Sequence, residues 1–200
     1  MKAQSSQKNI AAIVLAAGRS QRMGAANKLL LPLAELTILQ TVIASVLPAK
    51  FAQVVVVLGF DAANIRSHLQ QDRLSLIVNK DYQSGMSSSL RCGLDALDDY
   101  IDGAMIVLAD MPLITTAQLD QLISACLVSQ AQDIVVPYNN GRRGNPVVWQ
   151  SVYFSEMKQQ QGDQGARAML QKYPQHIVPI EIDSQAIFID IDTPEDLKLL

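Results

Sequence analysis

The chain has 200 residues, 49% hydrophobic and 18% charged, which is enough for one substantial core and excludes a disordered chain. Its 16 Lys+Arg against 19 Asp+Glu give a formal net charge of −3, and aromatics make up 5%, so a basic nucleic-acid coat and a base-stacking platform are both excluded. Cys92 and Cys126 lack paired spacing and no apolar run reaches about 18 residues, which excludes a disulfide framework, a thiolate zinc centre and a membrane span, and fits a reducing cytoplasm.

Residues 1–9 are polar, carry no apolar core of a secretory signal, and read as a flexible tail. Ile10 to Ala17 (IAAIVLAA) then forms a continuous small-apolar run, expected to be a strand buried on both faces. Gly18 breaks it, and a polar loop runs to Lys28. Ile38, Leu39, Val42, Ile43, Val46 and Leu47 recur at helical spacing, and Pro48 ends the pattern. Gln53 to Leu58 reads as a second buried strand, and Asp61 to Gln70 as a helix capped by Asp61. Leu74 to Val78 is a short strand, followed by a helix over Ser87 to Tyr100 that opens on a serine cluster. Ala104 to Ala109 is a fourth strand, stopped by Asp110-Met111-Pro112. Thr115 and Gln118 form a capping-box signature for a helix to about Ser129, and Asp133 to Pro137 is a fifth strand.

This alternation implies one doubly wound, Rossmann-like α/β domain over residues 1–200 with a mostly parallel sheet. Beyond Asn139 the rhythm loosens. Strands near 147–149, 177–182 and 186–191, with a helix over 165–173, suggest a small antiparallel annex. Thr193, Pro194 and Asp196 supply cap, first-turn proline and third-position carboxylate for a terminal helix. In such folds ligands lie at the carboxyl ends of the strands, so the loops after Ala17 and Ala109 should adjoin.

Charge is distributed to match. No carboxylate occurs before Glu35, whereas Lys2, Lys8, Arg19, Arg22 and Lys28 all do; Glu181, Asp183, Asp190, Asp192, Glu195 and Asp196 crowd the C-terminal end. A polyphosphate and its divalent cation require both kinds of charge. The loop after Ala17 is neither a Walker loop nor a GxGxxG fingerprint, because five residues separate Gly18 from Gly24 and Ala25 follows. It still has the parts of a phosphate cradle. Gly18 and Gly24 allow close backbone approach, Arg22 offers a forked donor and Lys28 a compact charge. Asp110 closes the fourth strand and is free to ligate a cation, since Thr115 or Thr116 is the better cap. Asp190 and Asp192 supply the further carboxylate, of which Asp192, at the turn into the last helix, is favoured. Ser87 and Ser88 sit where a helix N-terminus meets an anion. His68 and His176 are given no role, and no nucleophile stands out.

The run LAAGRSQRMGAANKLL resembles the signature of nucleotidyltransferases that act on molybdenum cofactor, and most closely their cytidylyltransferase (MocA-like) branch. The resemblance continues in order through Gly85-Met86-Ser87-Ser88-Ser89-Leu90, Leu108-Ala109-Asp110-Met111-Pro112, the segment GRRGNP at 141–146, GDQGAR at 162–167 and Asp190-Ile191-Asp192-Thr193-Pro194-Glu195-Asp196-Leu197. It implies a nucleotide-diphospho-sugar transferase-like fold. It also implies CTP as nucleotide, molybdopterin as acceptor, and Mg²⁺ or Mn²⁺ held by Asp110 and Asp192. Arg22, Lys28 and Asp110 would be the catalytic residues. Leu15, Ala16, Ala17, Gly18, Arg19, Gly24, Lys28, Ser87, Ser88, Arg143 and Asn145 would bind the substrates. Ala16-Ala17-Gly18 is the element that meets the base in this family; the guanylyl branch reads Ala-Gly-Gly there and carries Asn where this chain has Asp190 and Asp192. A transient contact with a molybdenum hydroxylase is a further implication. Rival readings are another nucleotidyltransferase, a guanylyl enzyme, or a carrier of molybdopterin that adds no nucleotide.

Overall fold

The computed structural model describes residues 8–19, 27–69, 72–162, 166–193 and 195–199. In chain order the elements are β1 (Ile10–Ala16), β2 (Pro32–Leu33), β3 (Leu36–Thr37), α1 (Ile38–Val46), β4 (Gln53–Leu58), α2 (Ala62–Ser67), β5 (Ser75–Val78), α3 (Met86–Asp95), β6 (Gly103–Leu108), α4 (Thr116–Val128), β7 (Ile134–Asn139), β8 (Arg142–Arg143), β9 (Val147–Gln150), α5 (Phe154–Gln159), α6 (Arg167–Lys172) and β10 (Ile177–Glu181). The main sheet runs β10-β7-β9-β6-β1-β4-β5, with β8 paired to β7. β1 is parallel to β4 and β6, β4 to β5, and β7 to β10; β9 is inserted antiparallel between β6 and β7. β2 and β3 form a separate two-stranded antiparallel sheet.

Alternation along β1 explains the layers. Ala12, Val14 and Ala16 join a core with Leu39, Val42 and Ile43 of α1 and Leu119, Leu122 and Ile123 of α4. Ile13 and Ala17 face the other way, onto a core with Leu90 and Leu94 of α3, Met157 of α5 and Met169 of α6. A strand covered on both faces has no polar side to show, hence the unbroken apolar run.

The doubly wound, mostly parallel architecture is as expected, and the Thr115–Gln118 capping box is present in both directions. The differences are local. A small antiparallel sheet is present as β2–β3, but the strands expected beyond Asn139 do not form it: β9 lies within the main sheet, β10 is parallel, and 186–191 is not a strand. A 3₁₀ turn over Gln185–Phe188 and an extended segment stand there instead. Ala186, Ile187 and Ile191 are all buried, a spacing that a two-residue alternation does not satisfy. Asp61 does not cap α2. Its backbone is left-handed (φ 56°), and its carboxylate accepts from Asn64 Nδ2 at 3.1 Å. α3 is shorter than expected, and Gly85 (φ 103°) precedes it as an N-cap with no side-chain bond, so the serines fall inside the helix. The terminal helix is a 3₁₀ turn over Asp196–Leu199. Lys8 and Asn9, read as tail, are held: Lys8 Nζ donates to the carbonyls of Cys126 and Ser129, and Asn9 N to Asp102. No helix among the described residues is long and apolar enough to cross a membrane.

Candidate active site

Parallel pairing of β1 with β6 places Leu15 opposite Leu108, so the chain leaves both strands at one edge of the sheet. Lys28 returns to this edge in a 3₁₀ turn, Lys28–Leu30. Buried Asn27 caps the turn, its Oδ1 accepting from Leu29 N at 3.1 Å, and Lys28's carbonyl accepts from Leu31 N at 3.1 Å. The backbone under the lysine is thereby fixed. Lys28 Nζ donates to Asp110 Oδ2 and to Asp192 Oδ1, each at 2.6 Å.

The C-terminal segment reaches the site through main-chain bonding. Ile191 N donates to the carbonyl of Asp110 at 2.9 Å, so Asp190 and Asp192 flank Asp110. Asp192 is set by the turn after it, where Asp196 Oδ2 accepts from Asp192 N at 2.9 Å, Thr193 N at 2.7 Å and Thr193 Oγ1 at 2.9 Å. These bonds, those from the Asp192 and Thr193 N–H groups foremost, hold the Asp196 carboxyl below the usual carboxylate range.

Asp110, Asp190 and Asp192 each offer an oxygen within 4.8 Å of the others. Asp110 Oδ1 is buried and has no hydrogen-bond partner among the described residues. Loss of water and then the charges of Asp110 and Asp192 push the Asp190 carboxyl up. Burial works against the Lys28 ammonium, but Asp110 and then Asp192 outweigh it, so its pKa is raised. Three clustered carboxylates, two of them bridged by one ammonium, with an unanswered buried oxygen, are the donor set of a hard divalent cation. The residues present therefore fit Mg²⁺ or Mn²⁺.

The cleft beside this cluster has a volume of about 550 Å³. Leu15, Ala17, Gly18, Arg19, Lys28, Asp110 and Asp192, all singled out in the sequence, line it together with Asp190. The other singled-out positions stand elsewhere. Ala16 faces the core shared with α1 and α4. Ser87 is buried with its hydroxyl unpartnered among the described residues. Ser88 Oγ donates within hydrogen-bond distance of the Asp81 and Gly85 carbonyls and accepts from Asn79 Nδ2 at 2.8 Å. Arg143 and Asn145 are not among the residues lining the cleft; their loop docks on the segment leading to Asp190, with Asn145 N donating to Ile187 O at 2.9 Å. Arg142 lies over the Phe188 ring, 4.1 Å from its centroid. Arg22 and Gly24 lie outside the described residues.

Sequence reasoning missed Tyr82 and Gln83, which also line the cleft, as do Met86 and Ser89 of the serine-rich segment already singled out. The signal was available, because Tyr82 and Gln83 follow the carboxyl end of β5, the edge where α/β ligands bind. It also missed Gly59. A Cβ there would stand 2.7 Å from the Cβ atoms of both Ala17 and Tyr82, so glycine is what lets the two cleft walls approach.

The family model described as the MobA-like NTP transferase domain matches residues 12–177. Among curated proteins the chain is similar to the nicotine blue oxidoreductase of Paenarthrobacter nicotinovorans, 27% identical over 96% of each chain. It is 30% identical to the purine catabolism protein PucB of Bacillus subtilis over 94% of each. It is 27% identical to the molybdenum cofactor cytidylyltransferase of Escherichia coli, over 92% of this chain and 91% of that one. Among solved structures it resembles Rv0371c of Mycobacterium tuberculosis, with a TM-score of 0.88 and 27% identity over 97% of each chain. The manganese complex of Rv0371C superposes with a TM-score of 0.84 at 25% identity, over 97% of this chain and 98% of that one.

Proposed function

Because the chain belongs to the MobA-like NTP transferase family, we propose that it transfers CMP from CTP to the terminal phosphate of Mo-molybdopterin, forming the cytosine dinucleotide cofactor and releasing pyrophosphate. The observation that carries this reading is the meeting of Lys28, Asp110 and Asp192 at the cleft, each carboxylate 2.6 Å from the one ammonium. The Escherichia coli relative supports the cytidylyl form, as does Ala16-Ala17-Gly18 where the guanylyl branch reads Ala-Gly-Gly.

In this mechanism the triphosphate lies across the carboxyl ends of β1 and β6. Asp110 and Asp192 would hold Mg²⁺ or Mn²⁺, which would supply positive charge to offset that of the leaving group. Lys28 and Arg22 neutralise the β- and γ-phosphates, and Gly18 and Gly24 admit backbone N–H groups to them. Arg143 and Asn145 orient the acceptor, while Ser87 and Ser88, which do not line the cleft, support from within α3 the Ser89 that does. An oxygen of the acceptor phosphate attacks the α-phosphorus. The bond from that phosphorus to its bridging oxygen breaks, and pyrophosphate leaves with the electron pair. The acceptor monoester is already ionised at neutral pH, so no side chain has to remove a proton. The protein contributes position and charge. We place the reaction in the cytoplasm, with the product passed to a molybdenum hydroxylase.

The test is to incubate the protein with Mg²⁺, molybdopterin and each of the four triphosphates in turn. The expected result is pyrophosphate and a cytosine dinucleotide from CTP. Preference for GTP would replace the cytidylyl reading by the guanylyl one. Oxidation or reduction of a substrate without pyrophosphate release would replace transfer by redox chemistry, the kind of activity named for the Paenarthrobacter relative.

A further inference from the structure

We infer that Lys28 is a placeholder for the divalent cation: its ammonium occupies the gap between Asp110 and Asp192 until a polyphosphate draws it off, so that cation and nucleotide are taken up together. The inference rests on the reading of this cleft as a metal–triphosphate site.

Three observations support it. The ammonium makes two charge-assisted bonds of 2.6 Å to two of the carboxylates whose oxygens cluster within 4.8 Å. The side chains of Lys28 and Asp110 are only 11% and 20% exposed, so solvent screens little of the repulsion between that ammonium and a cation entering the same gap. Asp110 Oδ1 remains buried without a partner among the described residues, so the carboxylate is not satisfied by the lysine alone.

The exchange needs no backbone movement. The Asn27 cap and the Lys28 carbonyl bond fix the 3₁₀ turn, while the four-carbon stem has rotatable torsions of its own through which the ammonium can be redirected. A triphosphate entering beside Gly18 and Arg19 presents anionic oxygens to the ammonium as strong as the carboxylates it leaves. Lys28 then contributes to nucleotide binding what it had contributed to the Asp110–Asp192 bridge. Free divalent ion alone offers Lys28 no such destination and has to compete with it.

The test is Mn²⁺ binding to the full chain without nucleotide, followed by the paramagnetic signal of free Mn²⁺. Lys28→Met and Lys28→Gln should each bind Mn²⁺ at least about tenfold more tightly than the wild type. Lys28→Arg should stay at the wild-type level, and adding Asp110→Asn to Lys28→Met should remove the gain. Equal affinity in the wild type and the neutral variants would overturn the inference. Unfolding of both neutral variants, read from their melting curves, would overturn it too, because Lys28 would then be a structural bridge. Failure of the cytidylyl transfer assay with the tenfold tightening intact would sink the proposed substrates and leave the placeholder standing.

Discussion

The half of the sheet formed by β5, β4, β1 and β6 and the part of the chain beyond Asn139 build the same cleft in different ways. In the first, strands covered on both faces alternate with helices, and the site residues simply follow strand ends: Ala17 and Gly18 after β1, Asp110 after β6. In the second, position is set by single tertiary bonds. Gly144 N donates to Pro137 O at 2.8 Å, Asn145 N to Ile187 O at 2.9 Å, and Ile191 N to Asp110 O at 2.9 Å, and these bring Asp190 and Asp192 in from the far end of the chain. On the proposed reading, regular structure supplies the nucleotide side of the cleft and irregular structure completes the cation site.

This division can be broken by substitution. The largest effect should come from Asp110→Asn, where the two parts meet. We expect pyrophosphate release to fall about 10²- to 10³-fold with the fold intact, measured by coupled assay and circular dichroism. Retained activity would remove Asp110 from the reaction.

Gly144→Ala and Gly59→Ala should each destabilise the protein by about 1–3 kcal/mol in urea unfolding, because the added Cβ would meet Ile187 O at 2.6 Å in one and Ala17 and Tyr82 Cβ atoms at 2.7 Å in the other. Their kinetics should differ. Gly59→Ala should raise the KM for triphosphate, and Gly144→Ala the metal concentration needed for half activity. Identical kinetic signatures would show that the two regions are not separable.

Asp196→Ala should raise that metal requirement about tenfold, since it releases the turn that sets Asp192. Asp196 has a lowered folded pKa, so its support is present above the ordinary carboxylate range and lost as pH falls through the folded value. The stability gap between wild type and variant should therefore shrink on acidification; a gap that widens contradicts the turn's role. The smallest effect is expected from Ala17→Gly, which removes one methyl group from the cleft wall and should lower the CTP-to-GTP rate ratio by no more than about tenfold.

What could be read in the sequence follows the same division. The buried strands of the first half declared themselves by unbroken apolar runs, and Lys28, Asp110 and Asp192 by their places at strand and loop ends. Past Asn139, Ala186 to Ile191 looked like a strand because it is apolar, yet Ile187 and Ile191 are buried by packing against a loop and by the bond to Asp110. No local pattern encodes that partner. Asp61 misled as well: capping chemistry can be read locally, but the left-handed backbone that stands there cannot. The serines of α3 were legible as a cluster, whereas which of them faces the cleft depends on where the helix begins, and Ser89 is the one that lines it.

The central claim is that Asp110 and Asp192 hold the cation against a triphosphate lying along β1 and β6. The most direct measurement is the anomalous scattering of Mn²⁺ in crystals grown with a non-hydrolysable CTP analogue. We predict one strong peak ligated by both carboxylates and by phosphate oxygens, with Lys28 Nζ moved onto the polyphosphate. A nucleotide bound with its phosphates away from Asp110, or manganese on other residues, would contradict the account.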